Sequence, residues 1–199
     1  FHSGPSPPCL RGPVSSTLAV MNVLPIVPRL PEAHLLLIGE VITTWALLEH
    51  ELRLTVFLLL DLDNKRGRLA VRSARAKETV ELISDLMHQS KVQSKTTRLD
   101  ELAKVLDELE NRRNTLAHNI WLQDQDGVLH IQSLSGVWPQ RDGKRLKRRV
   151  LPAGIPVSEQ NLTDLVNAIQ GSIKAVSRLR HEVKSLLESA ASPSPDPSA

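Results

Sequence analysis

Apolar residues recur at spacings of three and four along much of this chain, the period of an amphipathic helix. The first such run puts Ile38, Ile42, Trp45, Leu52, Val56 and Leu59 on one stripe, from a favourable helix start at Pro31 to about Asp61. Asp63, Asn64 and Gly67 close it, and a second helix is expected from about Arg68 to His88, burying Leu69, Val80, Ile83 and Leu86 or their neighbours. A third, with Ser94 or Thr96 as its cap, carries Leu99, Leu102, Leu106, Leu109 and Leu116 on one face and runs into RRNTLAHNIW. There the period changes: IWLQDQDGVLHIQSL holds two β-leaning runs around Asp126-Gly127, a hairpin signal, and a third strand is expected over Arg145 to Leu151. A last helix follows a Ser158 cap, with Leu162, Leu165, Ile169, Ile173, Val176 and Leu179 as its stripe. The fold class expected is mainly α, a four-helix up-and-down bundle with a small β-hairpin insertion between helices three and four.

Proline marks the boundaries. Seven of the 13 prolines precede Glu32, three follow Ser192, and none lies between Glu32 and Trp138. Because proline removes a helical donor and clashes with the preceding turn, that interval is free to form long helices. Residues 1–30 read as a disordered Pro-rich leader, 31–189 as the helical domain with its hairpin insertion at about 119–152, and 190–199 as a disordered tail.

Composition narrows the setting. The longest apolar stretch is interrupted by Glu40, Glu49, Glu51 and Arg53, so no membrane span is expected. The leader shows no signal-peptide pattern, Met21 stands as a candidate start, and the single Cys9 has no partner for an internal disulfide. A reducing, cytoplasmic location is the expectation. Net charge is only +3, yet six cations fall within RDGKRLKRR: Arg141, Lys144, Arg145, Lys147, Arg148 and Arg149. That run is a candidate RNA-binding segment, with Trp121 and Trp138 as stacking neighbours, or else the solvated face of a hairpin.

The candidate chemistry lies late in the third helix. Asn114 and His118 are four residues apart and share a face, with Arg113 about one-third of a turn away. Arg113 also continues the leucine stripe, where an apolar side chain is expected, so a partner or a ligand anion is required. Glu49 interrupts the first helix in the same way and is positioned to approach Arg113 across the bundle. One reading is a structural ion pair with His118 capping the helix end. The other is catalytic: imidazole moves protons near neutrality, guanidinium neutralises charge on phosphate oxygens, and asparagine orients either.

Arginine, a polar residue and a histidine a few positions on, late in a helix of a four-helix bundle, resemble the HEPN family; here they read RNTLAH, Arg113 to His118. WALLEHEL in the first helix, LDELENRRNTLAH, the following IWL strand and the long final helix extend the resemblance over roughly residues 32–188. It implies a metal-independent endoribonuclease, possessing neither cofactor nor metal, that attacks a phosphate with the adjacent RNA 2'-hydroxyl. Arg113, Asn114 and His118 would be catalytic, with Glu49 and Arg112 in support; the pair Arg112-Arg113 leaves the register of the functional arginine open. A homodimer, in which two motifs share one cleft, is implied as well, and RNA and an antitoxin protein as partners. The alternative is a noncatalytic HEPN-like dimeric module that binds nucleic acid or a partner protein.

No metal site is expected, since no histidine has another at the i, i+4 spacing of a helical zinc site. The glycines are scattered singly, which excludes a phosphate loop and a dinucleotide fingerprint.

Overall fold

Helix α1 (Glu32–Leu59) opens the computed structural model, which describes residues 29–71, 74–133, 140–141, 144–145 and 154–191. Val41, Trp45, Leu48, Leu52 and Val56 are its buried line. Ile42, expected on that line, is 48% exposed. Trp45, Leu52 and Val56 are buried as expected and Ile38 and Leu59 pack against the core; at one step the adjacent Val41 takes the place of Ile42, in a helix that packs against α5 (Glu159–Ala191).

The expected helix from Arg68 to His88 is two helices, α2 (Asn64–Ala70) and α3 (Ala76–Gln89). Asp63 caps α2 by accepting from the Lys65 and Arg66 N–H groups at 2.8 and 2.9 Å. Gly67 lies where any Cβ would run into the Phe57 ring, which explains the glycine. Arg75 N–H donates to Glu78 Oε2 at 3.0 Å and sets the start of α3. Leu69 is 74% exposed, contrary to its expected burial, because it belongs to short α2 and not to the core face of α3, where Val80, Ile83 and Met87 are buried.

Helix α4 (Leu99–His118) buries Leu102, Leu106, Leu109 and Leu116, as its spacing predicts. Neither Ser94 nor Thr96 caps its first turn. Their hydroxyls donate instead to Glu182 of α5, at 2.8 and 2.7 Å, and Lys95 N–H joins them at 2.6 Å. The α3–α4 connection is thereby tied to the far part of α5. At the near end the expected Ser158 cap is present: its Oγ accepts from Asn161 N–H, and Asn161 Oδ1 accepts from Ser158 N–H at 2.9 Å.

Paired contacts fix helix directions. His34 lies beside Glu159 and Glu51 beside Arg180, so α1 and α5 run the same way. Arg112 meets Asn161 while the Ser94–Thr96 loop meets Glu182, so α4 runs against α5. A four-helix up-and-down order would set the first and last helices antiparallel. The extra helix α2 returns the chain after α1 and changes that relation.

The hairpin is β1 (Ile120–Gln123) and β2 (Leu129–Gln132), antiparallel with Trp121 opposite Ile131. Gly127, at φ +80°, supplies the left-handed turn residue. Two further strands, β3 (Gln140–Arg141) and β4 (Lys144–Arg145), pair with each other. Among the described residues the third strand of the main sheet is β5 (Ile155–Pro156), paired with β2. Of the third strand expected over Arg145 to Leu151 only Arg145 is described, in β4; the rest lies outside the described residues, as do residues 1–28, Trp138, Lys147, Arg148, Arg149 and residues 192–199. The fold is thus mainly helical with a small antiparallel sheet, and among the described residues no helix is long and apolar enough to cross a membrane.

Candidate functional site

The side chains of α1 and α4 meet around one carboxylate. Glu49 Oε1 accepts from Trp45 Nε1 at 2.8 Å, and Glu49 Oε2 pairs with Arg53 Nη2 at 3.0 Å. All three belong to α1 at i, i+4 steps, so they stack along one edge of that helix. Arg113 reaches across from α4, its Nη2 3.6 Å from Glu49 Oε1 and its guanidinium 5.3 Å above the Trp45 ring centroid. Its Nη1 donates to Asn114 Oδ1 at 2.7 Å, while its buried Nε has no hydrogen-bond partner.

Arg113 therefore sits in the leucine stripe because Trp45 gives its guanidinium a flat apolar face and Glu49 a counter-charge. Its side chain keeps 23% of its surface exposed. Two guanidinium groups share a single carboxylate, so the cluster carries an excess positive charge. Elsewhere on α4, Glu110 and Asp107 share the single Arg75, at 3.1 and 3.4 Å, so that neighbouring group carries one excess negative charge.

His118, the last residue of α4, is exposed and makes no hydrogen bond or ion pair with a described residue. Capping of this helix end falls to Asn119, whose Nδ2 donates to the Thr115 carbonyl at 3.0 Å. One helical turn separates His118 from Asn114 on the same face. Arg112 departs in another direction, its Nη2 3.5 Å from the Asn161 carbonyl of α5. Among the two adjacent arginines, Arg113 is the one joined to Asn114 and Glu49.

The remaining candidates fall elsewhere. Arg141 pairs in register with Lys144, and Arg145 with Gln140, in the β3–β4 ladder. Trp121 is half-buried, packed on the core and edge-on to His34 with ring centroids 6.4 Å apart, and is not displayed as a stacking surface. Trp45 and Arg53 were not picked out by sequence spacing as members of the cluster, although both lie four residues from Glu49. Among the described residues no group of three or more histidine, cysteine or acidic side chains is placed to hold a metal ion.

A second polar pair ties the hairpin turn to β2. His130 Nε2 lies 2.8 Å from Asp124 Oδ2. The hydrogen bond from His130, with those from the Val128 and Asp126 backbone N–H groups, holds the Asp124 carboxyl below its ordinary range.

Compared with models of known protein families, with curated proteins and with solved structures, the chain matches none.

Proposed function

We propose that this protein is a metal-independent endoribonuclease of HEPN type, acting as a toxin in the cytoplasm, that cleaves RNA by attack of a 2'-hydroxyl on the adjacent phosphate. The observation that carries the reading is the excess positive charge around Arg113 and Asn114, one turn from an exposed and uncommitted His118. A phosphate diester brings the missing negative charge, and its transition state brings more. Arg113 would neutralise the phosphate oxygens, Asn114 would hold the guanidinium in place, and His118 would move a proton. In this reading α1, α3, α4 and α5 are the four bundle helices, and Arg141, Lys144 and Arg145 in the strand ladder, with Lys147, Arg148 and Arg149 beyond it, guide the RNA backbone.

The reaction moves two protons, one from the 2'-hydroxyl and one to the departing 5'-oxygen, and one imidazole serves both ends poorly at once. A second copy of the chain supplies the second His118. The outer face of α1 suits that partner: Leu36 is 68% exposed and Leu47 48%, with exposed Gly39, Thr43 and Ala46 allowing close helix approach. An antitoxin protein would act by covering Arg113 and His118.

The second reading is a noncatalytic dimeric module that binds nucleic acid or a partner protein, and one observation favours it: Arg113 already has Glu49, Trp45 and Asn114 around it. One experiment separates the two. Purified protein, with a chelator present, should cut RNA and leave cyclic phosphate ends, and His118→Ala should lose about 100-fold or more of that activity with an unchanged melting curve. Equal cutting by both proteins rules out His118 as the catalyst; no cutting by either, with RNA still bound, selects the module.

A further inference from the structure

On the side of α4 facing away from Glu49, a cleft of about 300 Å³ lies between the last turns of α4, strands β2 and β5, and the first turn of α5. Leu116, Ile131, Val157, Leu162 and Leu165 give it an apolar floor. Two polar groups stand at its mouth. The Arg112 guanidinium meets only the Asn161 carbonyl, at 3.5 Å, and no carboxylate among the described residues. Asn161 spends its side-chain oxygen on Ser158, and its amide N–H₂ group has no hydrogen bond to a described residue.

The electrostatics have one sign. Among the described residues no acidic side chain lines the cleft, and the positive end of the α5 dipole opens beside it. Glu159, the acid of that first turn, lies on the other flank next to His34. An apolar chamber at the small end of the ligand-pocket range, with one cation and one amide donor at the entrance, defines its ligand by chemistry. The floor takes a short hydrocarbon or aryl group, and the planar guanidinium fork takes a carboxylate with two parallel hydrogen bonds.

We propose that this cleft is a binding site for a small amphiphilic carboxylate, its tail on Leu116, Leu162 and Leu165 and its head group between Arg112 and Asn161. The site does not rest on the ribonuclease reading, because it uses the arginine that the Glu49 cluster leaves out.

Octanoate, below its micellar range, is the probe, titrated into the full chain by calorimetry, with octanol as the chargeless arm and acetate as the tailless arm. Octanoate should bind saturably and raise the melting temperature, with octanol and acetate each at least about tenfold weaker. Arg112→Gln, at an exposed position, should weaken octanoate about tenfold or more while leaving octanol unchanged. Thr115→Trp, which fills the rim, should abolish binding of both, with circular dichroism confirming that each variant is folded. No saturable heat with octanoate, equal affinity for octanol, or an unchanged affinity in Arg112→Gln would each overturn the proposal.

Discussion

Replacing Glu49 in two ways divides the Arg113 cluster into its parts. In Glu49→Gln an amide oxygen stays within reach of Trp45 Nε1, and only the charge is lost. In Glu49→Ala the indole N–H loses its acceptor as well, in a residue only 2% exposed. An unmet buried donor costs about 1–3 kcal/mol. The ion pairs are worth less: Arg53 is 43% exposed and Arg113 lies 3.6 Å away, so solvent screening leaves about 0–1 kcal/mol for each. Glu49→Gln should therefore cost about 1 kcal/mol and Glu49→Ala about 2–4 kcal/mol. At roughly 2–4 °C per kcal/mol for a chain of this size, the two melting points should stand several degrees apart. Urea titration followed by circular dichroism reads the loss in each variant. Equal destabilisation by the two variants would show that the indole bond contributes nothing, and no destabilisation by either would show that the cluster does not form. The same pair tests the phosphate role. With its carboxylate gone the cluster gains one unit of positive charge, so Glu49→Gln should bind RNA more tightly at low salt, and the gain should vanish at high salt.

Two further outcomes are expected. A carboxyl whose folded pKa is lowered adds stability that is complete above its unfolded value, near 3.8 for Asp124, and is lost as pH falls through the lower folded value. The Val128 and Asp126 amide resonances should thus report an intact hairpin turn down to about pH 4 and lose it below, and Asp124→Asn should remove that acid transition. Glu182 is held below its ordinary range because hydrogen bonds from Lys95 N–H, Thr96 and Ser94 outweigh the opposing effect of burial. Glu182→Ala should release the α3–α4 loop, read as several-fold faster tryptic cleavage after Lys95 with the helical circular dichroism preserved; an unchanged cleavage rate would show that Glu182 does not restrain the loop.

Helix type was legible wherever one face was polar. The leucines of α4 and α5 lie where their spacing puts them, and the Asp126-Gly127 hairpin and the Ser158 cap follow from local chemistry that tertiary packing does not override. In α1 the stripe was legible except at one step, where Val41 is buried in place of Ile42, because both neighbours are equally apolar. The approach of Gly67 in α2 to Phe57 is likewise a contact that spacing cannot show. At the site, Glu49 and Arg113 were visible as charges misplaced in apolar stripes, and the structure brings them together. The role of Trp45 was hidden, since a tryptophan in a core stripe looks the same whether or not its N–H and ring face are used. The loop acceptor Glu182 was hidden for the opposite reason: a glutamate on a helix gives no sign in the sequence of the three donors it gathers from 86 to 88 residues away.

The end of α4 explains how one short segment can serve two faces. Successive residues of a helix are turned by about 100°, so adjacent arginines cannot both address α1; Arg113 takes the Glu49 side and Arg112 the α5 side. The helix ends a few residues on, at His118. Asn119 adopts an extended conformation, φ −109° and ψ 166°, and strand β1 begins at the next residue. A strand that leaves at once, anchored by Trp121 against His34 near the start of α1, carries the chain away from the helix end. Among the described residues no loop folds back over His118, which is exposed one turn from Asn114. The exposure on which the proposed chemistry depends is thus a consequence of how the helix is joined to the sheet.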